Sequence, residues 1–411
     1  MGAVGRTVAT GIVGTALLGM SLLGASVGNA APATAPLTIW VDAAHAPVLT
    51  EMLAKGYKGT PVTIVTKELA DVRAALAATP VESAPDVIWG EQQWSGELAA
   101  AGTIIPVQPD AKRADRFRTS VLDGFTVGAE RYGVPVQISN IALITNAALV
   151  KTQPTTFGQL SKKALALVSK GKAKKAFVVP QGEGSDGYAL YPLFSGLGGY
   201  FFGRTPEGGV DQTNLGLASK AFLKNSDTID QWNASGLIDS SLSADAARKS
   251  FVKGKAPFWI AGPDEMATLK ALSFVYRITA VPPIVAGTKA APLLRVQGFM
   301  VTSFAKKHGL KPVALRLVST YLTAPSRQAK LAAASGLNPA NTLAATKVAE
   351  PRLVAIGLAG VDGVPVPNIP QMGSVWGPYG AAWLSSTAGA GATPAKDAFT
   401  AAADAVTKAI G

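Results

Sequence analysis

The sequence contains no cysteine and only two histidines, His45 and His308. Without a thiol there can be no disulfide, no thiolate metal ligand and no cysteine nucleophile. Leu23-Gly24-Ala25-Ser26 has the outline of a Leu-x-x-Cys lipid-attachment box with serine where the thiol must be, so no lipid anchor is expected. Two histidines far apart in the chain do not suggest a histidine-based metal centre, and no cofactor is expected. Carboxylates are scarce too: 26 Asp and Glu face 38 Lys and Arg, for a formal charge of +12. The only dense cluster is Lys162, Lys163, Lys170, Lys172, Lys174 and Lys175, around a helix-like Ala-Leu stretch. No aromatics and no recognised motif accompany it, so nucleic acid is not an expected partner. A solvated helix face, attracted to anionic envelope polymers, is the simpler expectation.

Long apolar runs are limited to one. Thr10 to Gly28 is apolar or small with no acidic residue, Arg6 precedes it, and Gly28-Asn29-Ala30 supplies small residues where a signal peptidase reads. Residues 1–30 therefore read as an export signal, and the mature protein is expected in the periplasm or on the extracellular side of the envelope. Gly and Ala dilute the run and Pro32 follows it, which argues against a membrane anchor.

What remains is long enough for two lobes of roughly 150–200 residues each, and a hydrophobic content of 48% supports full cores. Leu37–Val41, Thr60–Val65 and Asp86–Trp89 read as strands, separated by helices through Leu53 and over Leu69–Leu76 and followed by one from near Trp94. The alternation recurs with Ala176–Val179, a helix over Tyr191–Phe202, and Ala256–Ile260. Strands alternating with helices predict two α/β lobes, each a helix-covered, mostly parallel sheet. Three extended stretches, Tyr132–Asn146, Arg277–Val281 and Val296–Thr302, read as hinge strands crossing between lobes. Phe399, Ala403, Val406 and Ile410 recur at helical spacing, a packing helix started by Thr393-Pro394. Gly182-Glu-Gly-Ser-Asp-Gly187 matches G-x-G-x-x-G, but the polar loop Gly203–Gln212 stands where a dinucleotide site needs a second strand and an acidic residue.

Pro367-Asn-Ile-Pro-Gln-Met-Gly-Ser-Val-Trp376 is too rigid for a linker and too aromatic for a solvated loop; it delivers Trp376 and Tyr379 onto the first turns of a helix. This run closely resembles the segment that places a stacking tryptophan under the sugar in maltose- and maltodextrin-binding proteins. Pro85-Asp-Val-Ile-Trp-Gly-Glu-Gln-Gln-Trp94 on through Gly102, Tyr132-Gly-Val-Pro135 on through Asn146, Tyr191-Pro-Leu193 with Gly198-Gly-Tyr200, Gly254 to Pro263, Gly298-Phe-Met300 and Gly336-Leu-Asn-Pro339 resemble further segments in the same order. Together they resemble the family 1 extracellular solute-binding subunits of ABC importers along nearly the whole mature chain.

That resemblance implies a two-lobed periplasmic-binding-protein fold of type II. Lobe 1 would comprise 36–138 and 284–338, and lobe 2 would comprise 139–283 and 339–411. It implies a monomer that is not an enzyme. Such a protein closes on a carbohydrate by hinge motion, hands it to permease subunits, and meets the membrane only through them. By resemblance, Trp376 is the stacking plane, Tyr188 and Asp186 are second-lobe contacts, and Tyr379 faces the same side as Trp376. Departures from the family pattern are Gln93, followed by Trp94, in place of an Asp; Ser139 in place of a Glu; and Asp264 in place of a Trp. Gln93 can still donate to and accept from a hydroxyl, and Trp94 adds a stacking plane, so all four residues are expected to contact the ligand. Glu91 could supply the missing charge. Neutral groups bond hydroxyls more weakly than carboxylates, so the alternatives are an eroded sugar pocket serving as an envelope interaction surface, or a non-sugar solute. A glycoside hydrolase built on Asp186 and Glu91 would need two facing carboxyl groups.

Overall fold

The structure, a computed structural model, describes residues 35–180, 187–239 and 242–411. Asp186 and most of the Gly182–Gly187 motif lie outside the described residues, as does the segment read as an export signal. Ala35–Gly411 forms one compact unit, built on two sheets with separate cores.

The main sheet has eight strands. Leu37–Val41 pairs in parallel with Val62–Thr66 and with Val87–Glu91. The ten-residue strand Leu293–Thr302 then runs antiparallel between Val87–Glu91 and Val134–Ser139. Period-two alternation explains why this sheet is covered on both faces. Leu37, Ile39, Val41, Val87, Trp89, Phe299 and Val301 enter one core. Trp40, Ile88, Val296 and Met300, one residue out of step, enter the other. The second sheet is three-stranded and antiparallel, with Ala142–Asn146 between Phe258–Ala261 and Tyr276–Thr279. It divides in the same way, Leu143 to one core and Ala142 and Ile144 to the other.

The two α/β lobes agree with the sequence pattern, but the strand directions differ from it. The edge Val62–Thr66, Leu37–Val41, Val87–Glu91 has the expected parallel ladder, and the short strand Val364–Pro365 pairs in parallel with Leu293 and Leu294. The long strand Leu293–Thr302 enters antiparallel to both of its long neighbours. Ala176–Val179 contributes only an isolated bridge, Val178 to Trp259. The helix expected over Tyr191–Phe202 stops at Gly196, because Gly198, at a φ of 96°, turns the chain into the hairpin Phe202–Arg204 and Val210–Leu215. The closing helix Ala395–Ile410 buries Phe399 and Val406 as its spacing predicts.

Tyr132–Asn146 breaks into two strands at Asn140 and Ile141, one in each sheet, as a crossover should. Leu293 packs into a second-sheet core while Leu294 packs into a main-sheet core, so the long strand also spans the junction. Its glycine is dictated by contact: a Cβ on Gly298 would overlap the Val134 backbone carbonyl at the register shift between these strands. Backbone cannot yield as a side-chain tip can. Gly298→Ala is expected to lower stability by about 1–3 kcal/mol, read as a fall in the urea midpoint with an unchanged slope.

His308 ties the same sheet to its edge. Its Nδ1 lies 2.8 Å from buried Asp86 and its Nε2 2.6 Å from the Val81 carbonyl, while Asp86 also accepts from the Thr38 amide. Burial alone would lower the His308 pKa, yet the Asp86 and Val81 hydrogen bonds raise it above its ordinary value. A raised folded-state pKa means stability that is fully present below about 6.5, the unfolded histidine value. That stability is lost as pH rises through the higher folded value. Thermal unfolding should therefore move down across that window, and His308→Asn should remove that segment of the pH dependence.

Candidate functional site

A cavity of about 720 Å³ opens where the two sheets meet, within the range of small-molecule sites. The crossover Ser139, Asn140 and Ile141 forms one wall. Beside it stand the end of strand Phe258–Ala261, paired with Ala142–Asn146, and the Gly262-Pro263-Asp264-Glu265 turn. Arg295 enters from the long strand, and Ser335–Leu337 from the turn where Gly336, at a φ of 69°, ends helix Pro325–Ser335. Tyr188 and Ala189 follow directly on Gly187, whose left-handed φ of 70° starts the turn that carries them.

The lining mixes an aromatic face with fixed charges. The Tyr188 hydroxyl donates to the Leu293 carbonyl at 3.0 Å, and the Arg295 guanidinium sits over its ring, 4.5 Å from the centroid. This holds an aromatic plane and a cation together at the junction. Arg248 donates through Nε to both Glu265 oxygens at 2.7 and 2.8 Å, so that pair is internally neutralised. Burial pushes the Asp264 carboxyl above its ordinary range, with Glu265 adding in the same direction. The site can therefore offer hydroxyl-bonding groups of both kinds beside a ring face, the chemistry that a polyol with C–H faces requires.

Of the residues singled out in the sequence, Ser139, Tyr188 and Asp264 come together in this cavity. Glu91 and Gln93 do not line it. They close a hydrogen-bonded chain at the end of strand Val87–Glu91: Gln93 donates to Glu91, Gln297 donates to Glu91, and Gln137 donates to Gln297 at 2.6 Å. Ser335 donates to Gln137, and His45 links Gln137 to Asp42. Trp376 is half-buried at the start of helix Trp376–Ser386, edge-on to Phe201 with centroids 5.3 Å apart. Arg295, Arg248 and Glu265 were missed. Arg295 had a signal, a lone charge inside the apolar run Leu293–Met300; the Arg248–Glu265 pair had none, because it is made between separate elements.

A family model described as "Bacterial extracellular solute-binding protein" matches residues 49–353. The chain is 27% identical over 354 residues to a maltodextrin-binding protein of Bacillus subtilis strain 168, covering 83% of this chain and 82% of that one. It is 26% identical over 387 residues to a maltooligosaccharide ABC transporter solute-binding lipoprotein of Streptococcus pneumoniae strain R6, covering 90% and 87%. Its fold matches an extracellular solute-binding protein of Staphylococcus aureus solved with maltose, at a TM-score of 0.78, 23% identity, and 91% and 97% coverage.

Two expected contacts are corrected by burial. Tyr379 does share the helix with Trp376, but it is fully buried, packed edge-on against Phe194, Phe201, Trp383 and Phe399 and filling the space that side-chain-free Gly187 leaves. Trp94 turns inward because Gly90 leaves room for its indole, which packs there with Met300 under the Arg73 guanidinium. Both are core residues. Tyr379→Ala should lose about 3–5 kcal/mol of folding stability by leaving a cavity, read by denaturant unfolding in the absence of any ligand.

Proposed function

Because the chain belongs to the bacterial extracellular solute-binding protein family, we propose that it captures a maltodextrin-like di- or oligosaccharide between its two lobes and delivers it to the permease of an ABC importer. The observation that carries this reading is the cavity at the junction, walled by the Ser139–Ile141 crossover and by residues of both sheets. The names of the Bacillus and Streptococcus relatives support the sugar class and the transporter role.

We take 36–138 with 284–338 as lobe 1, and 139–283 with 339–411 as lobe 2; the separate cores on the two sheets support two lobes, with Ala290 and Leu293 of the first set packing into the second-sheet core and Ala340 of the second into a main-sheet core. Ligand pulls the lobes together only to the extent that it binds the closed arrangement better than the open one. Tyr188 and Trp376 are assigned as ring-face contacts, and Ser139, Asp264 and Arg295 as partners for hydroxyls. Glu91 and Gln93 are assigned to the rim that meets the ligand on closure, and Asp186, outside the described residues, is kept as a second-lobe contact by resemblance alone. No catalytic step is assigned: the protein selects and releases, as a monomer with no cofactor. Its place of work is the outer side of the membrane, as the family description implies. Among the described residues no helix is long and apolar enough to cross a bilayer, and the sequence holds no cysteine to carry a lipid.

A thermal-shift screen against maltose, longer maltodextrins, trehalose and other oligosaccharides tests this directly. A ligand at 100 times its Kd should add about 2.7 kcal/mol of stability. Trp376→Ala should then weaken binding by about 2–4 kcal/mol, measured by calorimetry. A folded protein that shifts with no sugar would refute the carbohydrate assignment and turn the search to a non-sugar solute.

A further inference from the structure

The positive charge is distributed unevenly. Between Glu130 and Glu183 the chain has no carboxylate side chain, yet it carries Lys151, Lys162, Lys163, Lys170, Lys172, Lys174 and Lys175. Among the described residues only Lys175 of these seven is paired with a carboxylate, that of Asp239. Helix Phe157–Ser169 ends here, so a lysine at its C-terminus has an ordinary helix-dipole rationale. That accounts for one or two of them, not for seven.

Their position in the fold is specific. Strand Ala142–Asn146 starts beside the cavity, where Ala142 pairs with Ala261, and ends at Asn146, which pairs with Tyr276. The lysines gather at the far end. The Asn146 amide donates to Pro257 and the Ala147 amide to Val275, and the Lys174 and Lys175 amides both donate to the Lys255 carbonyl. Lys253 and Lys255 therefore join the same pole, and all of its lysines except Lys175 are exposed. A second cavity of about 250 Å³ lies among them, with Lys151, Lys163, Lys170 and Lys172 around Leu149 and Leu167.

Large exposed aliphatic side chains mark the same pole. Val275 is 75% exposed and Val252 is 42% exposed, two of the few large hydrophobics in solvent among the described residues. We propose that this pole of the second lobe is a docking surface for an anionic phospholipid bilayer. Lysines meet the headgroups, the small cavity accepts one headgroup, and Val252 and Val275 enter the interface. A soluble polyanion would gain from the lysines but nothing from the two valines, whereas a bilayer gains from both. Because the pole lies at the opposite end of the sheet from the cavity, docking leaves the solute site free.

The test is co-sedimentation with vesicles of phosphatidylcholine alone and with vesicles in which roughly a third of the lipid is phosphatidylglycerol, whose headgroups give the surface a negative potential. It is run on Ala35–Gly411, which contains both sheets and their cores, and on the full chain alongside. Binding is expected to the anionic vesicles alone and to fall steeply between low and physiological salt. Replacing Lys151, Lys163, Lys170 and Lys172 by Gln should weaken it about fivefold per lysine. Val275→Ser should weaken vesicle binding several-fold while leaving retention on a heparin column unchanged; melting curves confirm that each variant is folded. Equal binding to neutral vesicles, no binding to anionic ones, or a Val275→Ser variant that binds vesicles as tightly as the parent would each overturn the proposal, the last in favour of a soluble polyanion.

Discussion

Main chain that passes from one core to another leaves the ladders that satisfy its amides and carbonyls, and this structure depends on how that deficit is met. Four buried side-chain amides lie at or beside these passages and bond main-chain groups there and on neighbouring helices and loops. Gln92 accepts from the Val296 amide at 2.7 Å and donates to the Val366 carbonyl. Asn140 donates to Ile356 and Ile141, and Asn338 to Leu353. Asn368 shares its amide protons among Ser95, Gly124 and Thr126, all near 3 Å. A buried polar group left unmade costs about 1–3 kcal/mol, so these amides are as much a condition of the fold as its aliphatic core.

The same requirement gives the Pro367–Trp376 run its form. Asn368 is tied to a helix and loop of the main-sheet side, while Ile369, Met372 and Val375 enter the second-sheet core. A Cβ on Gly96 would strike the Asn368 carbonyl, so the approach is as close as a glycine allows. The rigid run is a crossover first, and its tryptophan is displayed as a consequence of where that crossover ends. Crossovers placed beside a cavity make ligand contact and lobe arrangement parts of one equilibrium, which is what a capture-and-release protein needs.

Charge is handled differently on the two sides of the second sheet. Near the cavity, cations are paired or stacked: Arg248 with Glu265, and Arg295 over Tyr188. At the far pole, among the described residues, all of the lysines except Lys175 stand without a carboxylate partner. One end is thereby suited to a small polar solute and the other to an extended anionic surface.

Much of this was legible in the sequence, because strands buried on both faces and helices with one apolar stripe leave local periodic signals. Leu37–Val41, the extended course of Tyr132–Asn146 and the packing helix through Ile410 could be read within a few residues, and resemblance drew attention to Tyr188, Ser139 and Asp264, which line the cavity. Strand direction could not be read, since periodicity carries no sign and only the returning crossovers set it. Nor could the fates of Trp94 and Tyr379, which share residue type and local spacing with display positions. Whether an aromatic ring faces solvent or core is decided by what lies opposite it, here the missing side chains of Gly90 and Gly187, and that is a tertiary fact. Local residue patterns carry most of the elements and the whole chemical inventory; which members of that inventory meet follows from packing, because contact between distant residues depends on neighbours that no local pattern encodes.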